Sequence, residues 1–289
     1  MDRKRWTNNR RQDWNYGGQG LSINMNKKIH FVSGLPRACS TLIQNLISQN
    51  PRVHATATSP LHEIGYIARK VFQTEEAKAV GGETLEKMYY DYVRGGCSHA
   101  FDSITDRPVV VDKCRSYIGH LDQLFKVFPD AKVLVPVRDI RGIICSMEKI
   151  HRKHPAPFNG FEEANPSQFT TIDKRAQGWL SSAPVGIAVE RLFEAAQRFG
   201  DKLHFINADR LTRNPEKVMK GVWEYLEEDD FVHDFNNVEQ YTNEVEVGFP
   251  YGDHTIREKV EPLVQDYETI LGRELSGAIE SKFNWITNL

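Results

Sequence analysis

The segment from Phe31 to Thr41 constrains the fold more than any other part of the sequence. An apolar run ends there in a turn of small residues, which leads directly into a helical pattern. Such a strand, loop and helix place the unpaired N–H groups of the first helical turn, and the positive end of the helix dipole, beside the loop. Arg37, Ser40 and Thr41 add a guanidinium and two hydroxyl groups. The segment therefore predicts a binding site for an anion such as phosphate.

Strand-like and helix-like segments alternate along the chain after this loop. Apolar or β-branched runs predict strands at 28–33, 53–58, 109–111, 132–137 and 203–207. Amphipathic or capped stretches predict helices at 40–49, 60–100, 117–128, 140–150, 172–199, 215–227 and from 262 onward. This alternation indicates an α/β architecture with a parallel sheet. Such sheets bind ligands at the carboxyl ends of their strands, where Ser33, Asp112 and Arg138 fall.

Charge and composition argue against several classes of protein. The 289 residues carry a formal net charge of -2, which disfavours a nucleic-acid or membrane partner selected by overall charge. No apolar run approaches the roughly 20 residues of a membrane span, and the N-terminus lacks the apolar core of a signal peptide. The four cysteines have neither CxxC spacing nor the density of a disulfide scaffold. We therefore expect a soluble, cytoplasmic protein without a metal site.

Two segments do not fit the alternation of strands and helices. Residues 1–24 are basic and rich in Arg, Asn, Gln and Gly, which predicts a flexible N-terminal extension. An arm that closes over a ligand through its aromatic residues is the alternative. Residues 151–171 contain three prolines and predict a long loop, either a lid facing the substrate or a surface insertion. Residues 25–289 show no repeat and no clear boundary, so we expect a single domain.

A second candidate phosphate site follows the strand at 132–137. Arg138 comes directly after that strand, and Ser146 lies on the next predicted helix. A strand-end arginine and a helix serine can converge on one phosphate, because the arginine supplies charge and the serine a directional donor. The alternative is a salt bridge for Arg138 and simple packing for Ser146.

The first loop departs from the phosphate-binding loop of ATP-hydrolysing enzymes. Ala38 and Cys39 stand where that loop has Gly-Lys before the Ser/Thr position. Without the lysine, kinase or ATPase chemistry loses its main electrostatic element. Arg37 offers instead a planar fork for an oxyanion. A nucleotide kinase or NTPase with a degenerate loop is therefore an alternative, as is a nucleotide-binding module without catalytic activity.

Together, the motifs resemble those of sulfotransferases that use 3'-phosphoadenosine 5'-phosphosulfate (PAPS). Residues 33–41 are similar to their 5'-phosphosulfate loop, and residues 138–146 to their 3'-phosphate motif. Asp112-Lys113 resembles the family's Asn/Asp-Lys at a strand end, and residues 207–216 resemble a late strand, loop and helix. The resemblance implies a P-loop-NTPase-like, three-layer α/β fold with a central, mainly parallel sheet flanked by helices.

The resemblance also assigns roles to individual residues. Pro36-Arg37 is closer to the tyrosylprotein and carbohydrate branches than to the cytosolic small-phenol branch, which implies a glutamate base. Glu63 matches that base, while Lys113 and Arg37 would stabilise charge on the leaving phosphate. His62 is the alternative base. The donor would be bound by Gly34, Pro36, Arg37, Ala38, Cys39, Ser40, Thr41, Arg138, Ser146 and Arg257, the last together with Lys259.

The predicted activity is transfer of a sulfuryl group from PAPS to an acceptor hydroxyl, by in-line displacement and without a metal. The product nucleotide would be 3',5'-adenosine bisphosphate (PAP). A small molecule, a sugar or a protein tyrosine can each supply the hydroxyl. The sequence carries no signal that chooses among these acceptors.

Overall fold

Five short apolar strands pair into one parallel sheet within the part of the chain that the structure describes. This structure is a computed structural model and describes residues 27–153, 155, 160–241, 254–264 and 266–289. The strands are β1 (Lys28–Val32), β2 (Val53–Ala55), β3 (Val109–Lys113), β4 (Val133–Val137) and β5 (Leu203–Asn207). Their order is β2-β3-β1-β4-β5. The predicted extension at 1–24 lies outside the described residues.

Helices connect the strands and cover the sheet. They are α1 (Ser40–Ser48), α2 (Leu61–Val71), α3 (Glu75–Lys78), α4 (Gly82–Ile104), α5 (Leu121–Val127), α6 (Ile140–Lys153), α7 (Gly160–Ala164), α8 (Ile172–Ser181), α9 (Gly186–Phe199), α10 (Ala208–Arg213), α11 (Pro215–Leu226), α12 (Glu268–Leu271) and α13 (Arg273–Phe283). Short 3-10 turns lie at Arg115–Gly119, Pro166–Phe169, Gly200–Lys202 and Asn284–Asn288. None of the described helices combines the length and apolar character needed to cross a membrane.

The sheet has an apolar core on each face. Successive strand residues point to opposite faces, so strands that are apolar at nearly every position bury both. Phe31 and Val135 pack on one face with residues of α5, α6, α8 and α9. Val32 and Leu134 pack on the other face with residues of α1 and α11. This arrangement confirms the three-layer α/β fold.

The strand ends meet at one edge of the sheet. The β1 and β3 register pairs Val32 with Lys113, and the backbone N–H of Cys114 donates to the Val32 carbonyl at 3.1 Å. The β4 and β5 register pairs Val137 with Asn207. The loop after β1, the end of β3 and the residues after β4 therefore lie side by side, as the topology of a parallel sheet requires.

The helix boundaries differ from the sequence prediction in several places. The predicted helix at 60–100 is divided into α2, α3 and α4, and the one at 172–199 into α8 and α9. The predicted helix at 117–128 is a 3-10 turn followed by α5, because the backbone of His120 leaves the helical region at φ -139. The predicted helix from 262 begins only at Glu268. The predicted loop at 151–171 is partly helical: α6 continues to Lys153, and α7 and the 3-10 turn at Pro166–Phe169 follow.

Contacts with α8 hold that segment against the core. The indole Nε1 of Trp179 donates to Glu162 Oε1 at 2.7 Å, and the ring of Phe169 is buried. Trp179 itself is fully buried and belongs to the core. The sequence could not supply these contacts, since they depend on how α7 and α8 pack together.

Candidate active site

The loop after β1 approaches β4 so closely that only glycine fits at its start. The N–H of Leu35 donates to the Pro136 carbonyl at 3.0 Å. A Cβ added to Gly34 would lie 2.4 Å from that same carbonyl oxygen. Glycine therefore lets the loop begin against the neighbouring strand instead of clashing with it.

The loop then turns through two residues in the left-handed region. Arg37 has φ 57 and Cys39 has φ 63, a conformation that normally favours glycine. Ala38 between them is fully buried and fixes the loop to the core. Cys39 is the N-cap of α1, and its own side chain makes no capping hydrogen bond. Ser40 and Thr41 of this first turn line a cavity, and the N–H groups of a first helical turn suit an anion.

A cavity of about 670 Å³ opens above this turn. Its walls come from the loop, the end of β3, α6 and the C-terminal segment around 254–270. The basic residues that line it are Arg37, Lys113, Arg115, Arg138, Lys149, Arg257 and Lys259, against the carboxylates of Glu261 and Asp266. The excess of positive charge gives a local field suited to an anionic ligand, although the whole chain is slightly acidic.

The two predicted anion motifs meet in this cavity. Arg37 Nε donates a hydrogen bond to Ser146 Oγ at 3.1 Å, and Arg138 Nη1 donates to the Arg37 carbonyl at 3.1 Å. The Arg138 guanidinium lies against Gly142, where an added Cβ would be 2.8 Å from Nε. The glycine therefore gives the arginine room to lie along α6.

A buried carboxylate fixes α6, the helix that carries Ser146. Glu148 is fully buried and accepts hydrogen bonds from Arg175 Nε at 2.8 Å and from Arg152 Nε at 2.7 Å. Burial raises the pKa of Glu148, but the bonds from Arg175 and Arg152 outweigh it, and the pKa stays below its usual range. Arg175 lies on α8, so its ion pair with Glu148 holds α6 against α8.

Lys113 lies at the cavity end of β3. Its exposed fraction is 8%, and it lines the cavity beside Cys114. Its place in the cavity wall brings a cationic side chain to the space that an anionic ligand would occupy.

The cysteines of the cavity are neutral thiols. Burial raises the pKa of Cys39 and of Cys114, and it raises the pKa of Cys145 to about 11. All three line the cavity without adding negative charge at neutral pH. They therefore leave the positive field of the arginines and lysines intact.

The two candidate bases lie on α2, outside the lining of this cavity. Glu63 is exposed in the first turn of α2, and its charge contributes to the raised pKa of Cys114, which does line the cavity. The ring of His62 instead contacts Tyr117 at 5.2 Å and His120 at 4.7 Å between centroids. Burial, and next the charge of His120, lower the pKa of His62 to about 4.

The structure brings together most, but not all, of the predicted site residues. Those that line the cavity are Pro36, Arg37, Cys39, Ser40, Thr41, Lys113, Arg138, Ser146 and Arg257. Gly34 and Ala38 belong to the same loop and shape it through their contacts with β4 and the core. Sequence reasoning missed Arg115, Ser116 and Lys149. The sequence could have predicted Lys149, because it follows Ser146 by about one helical turn and so lies on the same face of the helix.

Among the described residues, no group of three or more His, Cys, Asp or Glu side chains is arranged to hold a metal ion.

The fold and the cavity define an α/β protein with a cationic cavity where the first strand meets its helix. The chain belongs to the sulfotransferase family, whose model matches residues 30–232. It is therefore an enzyme of sulfuryl transfer. The family assignment confirms the resemblance found in the sequence, while the preference for one branch stays a prediction.

Solved structures share the fold at low sequence identity. The sulfotransferase domain of a Synechococcus olefin synthase is 16% identical, with a TM-score of 0.52 over 90% of this chain and 95% of that one. The sulfotransferase domain of the curacin biosynthetic pathway is 12% identical, with a TM-score of 0.51 over 89% and 98%. A mouse sulfotransferase complexed with PAP is 11% identical, with a TM-score of 0.50 over 92% and 88%. No significant match was found among the sequences of curated proteins.

Proposed function

We propose that this sulfotransferase takes its sulfuryl group from PAPS and transfers it to an acceptor hydroxyl. The observation that carries the proposal is the bond from Arg37 to Ser146, which joins two anion motifs in one cationic cavity. PAPS carries a phosphosulfate at one end and a phosphate at the 3' position, so it needs two linked anion sites. The mouse neighbour was solved complexed with PAP, the nucleotide that this donor leaves behind.

Each anion of the donor has a matching set of groups. The 5'-phosphosulfate would lie against the first turn of α1, with Arg37, Ser40 and Thr41. The 3'-phosphate would lie against Arg138 and Ser146, with Arg257 as a third contact. Gly34 and Ala38 would act through the shape of the loop.

The reaction would proceed by in-line displacement at sulfur. The acceptor oxygen forms a bond to sulfur while the bond from sulfur to the bridging phosphate oxygen breaks. The acceptor proton passes to the carboxylate of Glu63, and Lys113 and Arg37 stabilise the negative charge that develops on the leaving phosphate. These cations supply the charge that magnesium supplies in kinases, so the proposal includes no metal.

Glu63 is preferred to His62 as the base because of their surroundings. Glu63 is exposed at the start of α2 and can reach an acceptor that enters from solvent. His62 packs its ring between Tyr117 and His120, which leaves the ring less free than the Glu63 carboxylate to approach an acceptor.

Titration calorimetry with PAP tests the donor assignment, with ATP and magnesium as the control ligand. We expect PAP to bind in the micromolar range and ATP to bind at least tenfold more weakly, because the loop lacks the Walker lysine. An absence of PAP binding at high micromolar concentration would overturn the proposal.

Substitution of the base tests the mechanism. Turnover is measured as PAP released from PAPS with a panel of acceptors: 4-nitrophenol, N-acetylglucosamine and a tyrosine-containing peptide. We expect Glu63→Ala to lower kcat by about 100-fold or more and to leave the PAP affinity within twofold. Unchanged turnover in Glu63→Ala, together with a loss in His62→Gln, would transfer the role to His62.

Three broader assignments belong to the same proposal. Residues 25–289 would form one catalytic domain. This assignment is supported by the two apolar cores, which pack on opposite faces of one sheet. The acceptor would be a small molecule, a sugar or a protein tyrosine. A reducing, cytoplasmic compartment is supported by the four cysteines, which are all free thiols.

A further inference from the structure

Asp112 is a buried carboxylate that the proposed reaction does not use. It precedes Lys113 in β3 and is fully buried. Its Oδ1 accepts a hydrogen bond from Thr56 Oγ1 at 2.9 Å, and its Oδ2 accepts one from Tyr117 Oη at 2.6 Å. Burial of a carboxylate is costly unless hydrogen bonds compensate for it, and hydroxyl groups supply that compensation here.

Thr56 connects the Asp112 carboxylate to the backbone of Lys113. Thr56 follows β2, and its N–H donates to the Val111 carbonyl at 3.2 Å. Its Oγ1 also accepts a hydrogen bond from the backbone N–H of Lys113 at 2.9 Å. One hydroxyl thus links the carboxylate of Asp112 to the backbone of the residue that faces the cavity.

The other side of the network leads to α2. Burial raises the pKa of Asp112, and side-chain hydrogen bonds from Tyr117, Thr56 and Ser59 partly oppose that rise. Ser59 Oγ in turn accepts from the N–H of Leu61, at 3.1 Å, and so holds the first turn of α2. The ring of Tyr117 packs edge-on against His62 of the same turn, with 5.2 Å between centroids. Both contacts fix the turn that carries Glu63.

We propose that Asp112 is a positioning residue that sets helix α2, and with it Glu63, relative to Lys113. The role of Glu63 as base rests on the proposed function, whereas the linkage of α2 to β3 does not. Because a reacting group misplaced by about 1 Å can lose 100-fold in rate, a rigid connection between base and cation is of direct value for catalysis. The sequence places Asp112 at a strand end, in the pair Asp112-Lys113 that resembles the family motif, and the structure adds its hydroxyl partners.

Two isosteric substitutions each remove one hydroxyl from the network. Thr56→Val deletes the donor to Oδ1, and Tyr117→Phe deletes the donor to Oδ2. Tyr225→Phe is the matched control, because Tyr225 Oη donates to the Lys202 carbonyl at 2.6 Å, outside the network. Thr56→Ser keeps the hydroxyl group that Thr56→Val removes, and it serves as the rescue variant.

Amide hydrogen exchange, PAP affinity and turnover together decide the proposal. We expect Thr56→Val and Tyr117→Phe to speed exchange in residues 61–66 by at least tenfold and to lower kcat by at least tenfold, with PAP affinity within twofold of wild type. Thr56→Ser and Tyr225→Phe should stay within twofold on every measure. Unchanged exchange in both isosteric variants, or an equal change in Tyr225→Phe, would overturn the linkage.

The same measurements separate this inference from the proposed function. If the wild type binds no PAP, the donor assignment fails, while the exchange rates of α2 still decide whether Asp112 holds that helix. If exchange rises but kcat does not fall, α2 is held by Asp112 without positioning a base, and the proposed role of Asp112 in catalysis is wrong.

Discussion

Arg37 donates a hydrogen bond from Nε to Ser146 Oγ at 3.1 Å, across a separation of 109 residues in the chain. Arg138 completes the connection, because its Nη1 donates to the carbonyl of Arg37 at 3.1 Å. The loop after β1 and the helix after β4 therefore hold each other in place. A ligand with two anionic groups would meet both sites already aligned, which lowers the entropic cost of binding.

Substitution of Ser146 tests this connection. We expect Ser146→Ala to weaken PAP binding by about tenfold, because the variant loses a donor to phosphate and a partner of Arg37 at once. Titration calorimetry measures the change. Ser276→Ala, at a buried serine of α13, is the control and should bind PAP as the wild type does. A Ser146→Ala affinity within twofold of wild type would contradict the role of this serine.

Substitution of Gly142 gives a second test, because Gly142→Ala should weaken ligand binding and at the same time favour the helix. An alanine Cβ would lie 2.8 Å from Arg138 Nε and displace the guanidinium. Alanine also favours the interior of a helix over glycine by about 1 kcal/mol. We therefore expect Gly142→Ala to weaken PAP binding by about tenfold without lowering Tm.

Gly277→Ala is the matched control for that substitution. Gly277 lies in α13 with nothing within 4 Å of an added Cβ. This variant should raise stability by about 0.5–1 kcal/mol and leave PAP binding unchanged. Equal PAP affinities in the two alanine variants would show that Gly142 makes no room for Arg138.

The sequence predicted the parts of this protein that depend on local patterns. The five strands, the loop at 33–41 and the pair Arg138 and Ser146 each carry a signal within a short segment. The family match confirms that the chain is a sulfotransferase. Arg115 lines the cavity only because of how the turn after β3 packs, which no local pattern encodes. The helical content of 151–171 was missed because Glu162 and Phe169 are ordered by tertiary contacts with α8.

The buried side chain of His30 should make the free energy of unfolding depend on pH. Its Nδ1 accepts a hydrogen bond from the N–H of Lys132, and burial, with the charges of Lys28 and Lys132, lowers the pKa of His30 to about 4. In the unfolded chain the pKa would be near 6.5, so the unfolded state binds more protons between those values. The stability contribution of the neutral ring is therefore complete above pH 6.5 and is lost as pH falls towards 4.

Chemical denaturation between pH 7 and pH 4 measures that contribution. His30→Val removes the titrating group from a buried strand position. We expect the free energy of unfolding of the wild type to fall, relative to that of the variant, by about 1 kcal/mol per pH unit below pH 6. A difference between the two proteins that does not change with pH would show that His30 does not titrate in this way.

Cys39 provides the last prediction, since it occupies a conformation that suits glycine. Its φ of 63 places a Cβ in the left-handed region, which costs about 1 kcal/mol for most residues. We expect Cys39→Gly to be about 1 kcal/mol more stable than Cys39→Ala, because both lose the thiol and only glycine relieves the strain. Glu227, at φ 57 on the C-cap of α11, should give a similar difference between its glycine and alanine variants. PAP affinity should stay within twofold in Cys39→Gly, because the loop N–H groups keep their positions. If Cys39→Gly is no more stable than Cys39→Ala while the Glu227 pair differs as expected, then the loop relaxes around Cys39 and stores no strain.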